Sequence, residues 1–256
     1  MITRRKIVIA LGSGALVSPL SSFAQPSTKV WRVGFLAQRH LDFVDADVNY
    51  GPFMQGMREL GYVEGKNLVI EWRSAEGKIE RLPELAAELA RLKLDVLATA
   101  ATPAAQAAQK ATTAIPIVMI AVGDPVGTGL VKSLARPGGN STALSLMTVE
   151  LVPKRLEMLR AMAPKVTRVA VLVNPVNTAN TMGLKNVQAA AKKHGVTILP
   201  VEASTPQEIA NGFAVMARQN AGALIVPLEP LFTQQKNQIV EFAAKQRLPS
   251  IGGYGE

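Results

Sequence analysis

Residues 115–146 read IPIVMIAVGDPVGTGLVKSLARPGGNSTALSL, and the order of signals within them decides the fold. The run Ile117–Val122 is apolar without a break and is bounded by Pro116 and Gly123. A strand with one wet face alternates; one that does not alternate is buried on both faces, as in a parallel sheet. Gly123-Asp124-Pro125 makes a turn, with Asp124 placed to cap the next segment and Pro125 suited to a first helical position. A short helix is expected over 127–134, ended by Arg136-Pro137-Gly138-Gly139-Asn140, before a second apolar segment over 141–147. Two strands joined by such a loop suit a crossing between domains beside a ligand. The stretch reads as the hinge side of a cleft.

The same grammar runs outward in both directions. Towards the N-terminus, strands are expected over 30–36, 68–72 and 95–99, with helices over 53–60, 82–92 and 104–111. Leucines at 82, 85, 89 and 92 make the apolar face of one helix. Thr102 sits where an N-cap belongs and Pro103 where a first-turn proline belongs, so a helix opens at the carboxyl end of a buried strand and presents free N–H groups to an anion. Towards the C-terminus the expected order is helix 151–162, strand 168–173, helix from Asn177 to His194, strand 197–201, helix 206–219, strand 223–226, helix 232–245 and strand 249–251. RVGFL at Arg32 and RVAVL at Arg168 begin similar series, which implies two related halves. Strict alternation of strand and helix predicts an α/β fold with parallel sheets flanked by helices.

Composition narrows the function. The 256 residues contain no cysteine and carry a formal charge of +9. Residues 1–24 have the parts of an export signal: Arg4, Arg5 and Lys6, an apolar core from Ile7 to Leu20, and Ser22-Phe23-Ala24 as a small-x-small site. Cleavage after Ala24 and a periplasmic location are expected. The apolar core is too short for a span and contains Gly12, Gly14 and Pro19. Thr3-Arg4-Arg5 leaves the general and twin-arginine export routes both open. Without the signal the excess positive charge is scattered at helical spacing among acids, with no basic run, which argues for a solvated surface and against nucleic acid.

Enzyme chemistry finds little to use. The chain has no G-x-S-x-G elbow, no G-x-x-x-x-G-K-[ST] loop and only two histidines, His40 and His194. Gly127-Thr128-Gly129 lacks the third glycine of a dinucleotide fingerprint. His40, Asp42, Asp45 and Asp47 share a polar loop but lack a recognisable ligand spacing. No catalytic residue, metal site or cofactor is expected, although a carboxylate pair brought together by folding is invisible at this level.

Four long stretches carry a resemblance: GDPVGTGLVKSLARPGGNSTALS from Gly123, FMQGMRELGYVEGKNLVIEWRSAEGKIERLPELAAELARLKLDVLAT from Phe53, RVAVLVNPVN from Arg168 and PLFTQQKNQIVEFAAKQRLPSI from Pro230. In their order along the chain they closely resemble the ABC-type substrate-binding proteins of the tryptophan/tyrosine-binding group. The resemblance implies two Rossmann-like lobes in the type I periplasmic-binding-protein (Venus-flytrap) architecture, residues 28–144 and 145–256. It implies a monomer that captures a small solute, an amino acid and possibly an aromatic one, and delivers it to an ABC permease. A sensing domain for a membrane signalling partner shares the same architecture. Relatives run on past the position of Tyr254 and cross back to the first lobe, so a missing return crossing is expected.

Position at strand ends gives the expected ligand contacts. Gln38 and Asp124 rim the cleft from the first half, and Asn174 and Asn177 from the second. Thr102 takes a carboxylate at its helix N-terminus; Glu229, where relatives more often show Asp, pairs with an ammonium. Phe232 and Tyr254 stack on an apolar or aromatic side chain. Asp124 before Pro125 and Asn174 before Pro175 also suit plain turn roles, and Phe232 a plain core role.

Overall fold

Two parallel sheets with the same strand order make up the structure, a computed structural model that describes residues 29–39 and 50–253. The first contains β1 (Trp31–Ala37), β2 (Leu68–Ser74), β3 (Val96–Ala100), β4 (Ile117–Val122) and β5 (Ser141–Ser145), ordered β2-β1-β3-β4-β5. The second contains β6 (Arg168–Val173), β7 (Thr197–Glu202), β8 (Ala223–Val226) and β9 (Ser250–Gly252), ordered β7-β6-β8-β9. Every pairing is parallel. RVGFL and RVAVL therefore hold the same place, the second position of each sheet. Both sheets lie in one compact unit, Trp31–Glu256; of the other, Met1–Val30, the description covers Lys29 and Val30, both exposed. The expected export signal, the loop of His40, Asp42, Asp45 and Asp47, and Tyr254 lie outside the described residues.

The helices are α1 (Tyr50–Glu59), α2 (Leu82–Arg91), α3 (Thr102–Ala111), α4 (Thr148–Met162), α5 (Thr178–Lys193), α6 (Pro206–Arg218), α7 (Pro230–Gln234) and α8 (Lys236–Lys245). They cover both faces of each sheet, which is why the central strands β6 and β8 are apolar without alternation. Val169, Val171 and Val173 face α4 and α5 through Leu156, Leu159 and Val187, while Ala170 and Leu172 face α6 and α8 through Ile209, Phe213 and Ile239. In the first sheet Leu36, Leu97 and Met119 pack on α2 and α3, and Phe35 packs on α1. The Phe35 ring meets Tyr50 at 5.1 Å, Phe53 at 5.3 Å and Trp72 at 4.8 Å between centroids. Gly34 leaves room for the α2 side of the sheet, because a Cβ there would lie 2.5 Å from Leu94 Cδ1.

The edge strand β7 carries its own guard. Thr197 N donates to Thr167 O and Ala203 N to Val173 O, so odd-numbered amides along β7 face β6. Pro200, at an even position, removes a donor from the open side, which blunts the edge against a further strand.

Three local expectations are corrected. No helix forms over 127–134; those residues are turns and bends. Gly127 and Gly129 weaken a helix there, Gly129 takes φ +76, and Asp124 spends its carboxylate on the turn. The single helix expected over 232–245 is two, α7 and α8, meeting at Gln235. Thr102 is the first residue of α3 and not its cap; that place belongs to Ala101, at φ 77 and ψ 157 without a side-chain cap.

Candidate ligand-binding site

In each sheet the first strand of the half lies between the second and the third. Connections leaving the first strand and the third run over opposite faces, α1 against α3 in one half and α5 against α8 in the other, so a crevice opens beyond their carboxyl ends. Gln38 and Arg39 follow β1, and Ala101 and Thr102 follow β3. Asn177 follows β6, and Leu228, Glu229 and Pro230 follow β8. All of these line one cavity of about 170 Å³, together with Tyr50, Leu146, Thr148 and Asn180. One part of its wall is polar amide and carboxylate, another is Tyr50, Leu146, Leu228 and Pro230.

Glu229 is the charged centre of this wall and is 1% exposed. It caps α7, its Oε2 accepting from Leu231 N at 2.6 Å and from Phe232 N at 3.2 Å. Its Oε1 accepts from Asn174 Nδ2 at 3.0 Å and from Gln38 Nε2 at 3.3 Å. These donors are two side-chain amides and two backbone N–H groups, none of them a cation. Burial pushes the Glu229 carboxyl above the ordinary carboxylate range, and the hydrogen bonds from Asn174, Phe232, Leu231 and Gln38 draw it part of the way back. Four donors and no acceptor around it suit the ionised form.

Thr102 is buried, and its Oγ1 accepts from Gly123 N at 3.2 Å, tying the end of β3 to the loop after β4. That leaves the first turn of α3, whose N–H groups have no helical partner by construction, as the anion-attracting part of the wall. Asn177 caps α5 by accepting from Ala179 N at 3.1 Å, and Asn180 Oδ1 accepts from Asn174 N at 3.3 Å.

The halves touch over the cavity. Gln38 of the first meets Glu229 of the second, and Gln106 Nε2 donates to Thr178 Oγ1 at 3.1 Å. Gly123 is wedged so tightly that a Cβ on it would lie 2.6 Å from Thr148 Oγ1 and 2.9 Å from Ala179 Cβ. The cleft is closed.

Of the residues singled out in the sequence, Gln38, Thr102, Asn177 and Glu229 line the cavity. Asn174 stands one layer behind, against Glu229. Asp124 does not line it: its Oδ1 accepts from Gly127 N at 2.8 Å and its backbone oxygen accepts from Thr128, so it builds its own turn. Phe232 is 0% exposed in the core between the second sheet and α6. Tyr254 lies outside the described residues. Sequence reading missed Arg39, Tyr50, Thr148 and Asn180. Asn180 has a signal, being one turn into the helix that Asn177 caps; Tyr50 has none, because the sequence pattern starts that helix at Phe53 and the structure starts α1 at Tyr50.

Comparison with known proteins agrees with this geometry. A family profile described as ABC transporter substrate binding protein matches residues 43–254. A tyrosine-binding protein of Clostridioides difficile (strain R20291) is 29% identical over 199 residues, 78% of this chain; the chain spans 57% of that relative's length. An ABC domain from Streptococcus pneumoniae in complex with L-Trp superposes with a TM-score of 0.76 at 25% identity, covering 88% of this chain and 74% of that one. A ligand-free, open substrate-binding protein with adhesive properties from Clostridium difficile gives 0.55 at 28% identity, covering 87% and 74%. The fold is that of the type I periplasmic binding proteins, and the family's description is of a binding component and not an enzyme. Matched over most of its length and in its two-sheet architecture, the chain belongs to the ABC transporter substrate-binding protein family.

Proposed function

We propose that this chain is the periplasmic solute-capturing component of an ABC-type importer, closing on an amino acid, with aromatic ones favoured, and presenting it to a membrane permease. One observation carries the reading: a buried carboxylate, Glu229, lies in the wall of a closed inter-lobe cavity, and the four groups that donate to it are all neutral. A buried anion without a cation is costly, and a guest bearing an ammonium supplies the missing charge. The opposite wall complements this, because the start of α3 favours a carboxylate. A volume of about 170 Å³ is below the roughly 300–1,000 Å³ of sites for drug-sized ligands, which favours a small guest. Closure around it shifts an open–closed population, the state a permease reads.

A thermal-shift and calorimetric screen of the natural amino acids tests the reading. A true ligand at a hundredfold excess over Kd raises stability by about 2.7 kcal/mol. Glu229→Gln is expected to weaken an amino-acid hit by tenfold or more, through loss of the negative charge; unchanged affinity would refute the ammonium role.

A pH series gives a second check. Because the folded carboxyl is raised, the folded state binds a proton more readily than the unfolded chain. The group's contribution to the stability of the empty protein therefore increases as pH falls through the raised range, and is lost as pH rises through it. Amino-acid affinity should move the other way and fall on acidification over the same interval. An affinity insensitive to pH between neutral and mildly acidic buffer would contradict this.

A further inference from the structure

We infer that Gln38, and not Glu229, is the residue that touches the guest's nitrogen, with Glu229 acting as the positioning residue that holds the Gln38 amide in its reading orientation. This rests on the amino-acid reading above. A carboxylate offers about four acceptor directions. All four on Glu229 are taken, by Asn174 Nδ2 and Gln38 Nε2 on one oxygen and by Leu231 N and Phe232 N on the other. A ligand ammonium finds no lone pair there without breaking the structure.

Gln38 is in the opposite situation. It is 3% exposed and lines the cavity, and its Nε2 is committed to Glu229 across the cleft. Its Oε1 is buried and has no hydrogen-bond partner among the described residues. The amide is planar, so fixing Nε2 on Glu229 fixes Oε1 on the other corner. Turning the amide over would press Oε1 against the carboxylate, so the charge of Glu229 decides which amide atom is left for a guest. A buried acceptor left without a donor is unfavourable. A guest that brings an N–H to it removes that penalty, and the charge on that nitrogen is balanced by Glu229 one amide further back. A guest with the same ring and carboxylate but no amine leaves Oε1 unpaired. Sites built around such a bond reject the analogue lacking it by large factors.

The experiment pairs each aromatic amino acid with its des-amino acid: L-tyrosine with 3-(4-hydroxyphenyl)propionate, L-phenylalanine with 3-phenylpropionate, L-tryptophan with indole-3-propionate. Calorimetry gives the affinity ratio for the pair whose amino acid binds best. Wild type is expected to prefer the amine by a hundredfold or more. Gln38→Met keeps the length of the side chain without an amide and should reduce the preference at least tenfold; Gln38→Leu serves as the second variant should the first lose its cooperative melt. Glu229→Gln, which frees the amide to turn over, should reduce the preference too. The double variant Q38M/E229Q should fall less than about threefold below Q38M alone, since residues acting through one contact are not additive. A preference kept intact by Q38M and Q38L overturns the assignment of Gln38. Losses that multiply in the double variant overturn the positioning role and return the contact to Glu229. If wild type binds none of the six probes, the preference for aromatic amino acids fails and this inference with it, while the wider amino-acid reading is decided by the screen of all natural amino acids.

Discussion

Phe232→Ala is expected to lower the unfolding free energy by about 3–5 kcal/mol, the range for deleting a buried ring from a packed core. The ring is 0% exposed and packs with Phe213, Met216, Leu224, Val226 and Ile239. Its backbone N–H is also one of the four donors on Glu229. Loss of the ring therefore loosens the start of α7 and, through it, the carboxylate in the cavity. Urea denaturation followed by circular dichroism measures the loss, and an unchanged slope against denaturant shows that the compactness of both states is kept. Phe232→Leu should recover most of the stability, because it refills much of the volume. A loss below about 1.5 kcal/mol for the alanine variant would mean that the ring faces a wet cleft, which is the stacking role that the sequence also allowed.

Gly123→Val is expected to leave the fold intact and to weaken solute binding between about tenfold and a hundredfold. Gly123 lies in the loop after β4, and its missing Cβ is the gap into which Thr148 and Ala179 fit. Both neighbours belong to the first turns of helices packed on the second sheet, α4 and α5. The clash is thus between halves, and opening the cleft relieves it without disturbing either core. Inserting atoms into a tight contact is unfavourable by about 1–3 kcal/mol, and each 1.4 kcal/mol is a factor of ten in affinity. Here the penalty falls on the closed state alone. Small-angle scattering should show a larger radius of gyration for the variant at ligand concentrations that close the wild type. A variant that binds and closes like wild type would show that the contact at Gly123 is not part of closure.

Glycine at 34 and at 123 makes the same point in two settings. Neither has a positive φ, so neither is present for a turn; each is there because something approaches closely. At Gly34 the neighbour is Leu94, in the same half, and at Gly123 it is the other half of the molecule. Sequence alone does not separate these cases.

The alternation of strand and helix, the duplicated series beginning at Arg32 and Arg168, and the two-sided burial of Arg168–Val173 were legible in the chain, whereas Ile117–Val122 is only part-buried at Val118, Ile120 and Ala121. Each is written in a few neighbouring residues, and backbone geometry turns that local pattern into one kind of element. Where glycine-rich turn chemistry competed with helix signals, as at 127–134, local reading failed for the reason that Asp124 and Gly129 supply. The rim of the cleft was legible to the same extent, because strand ends follow from chain order, and Gln38, Thr102, Asn177 and Glu229 all stand at one. Asp124 and Phe232 stand near strand ends as well, yet one closes its own turn and the other fills the core. What separates them is which partner each polar or apolar group meets across the fold. Gln38 and Glu229 are 191 residues apart, and only the tertiary structure brings amide to carboxylate, takes up every lone pair of one, and leaves an oxygen of the other unpaired.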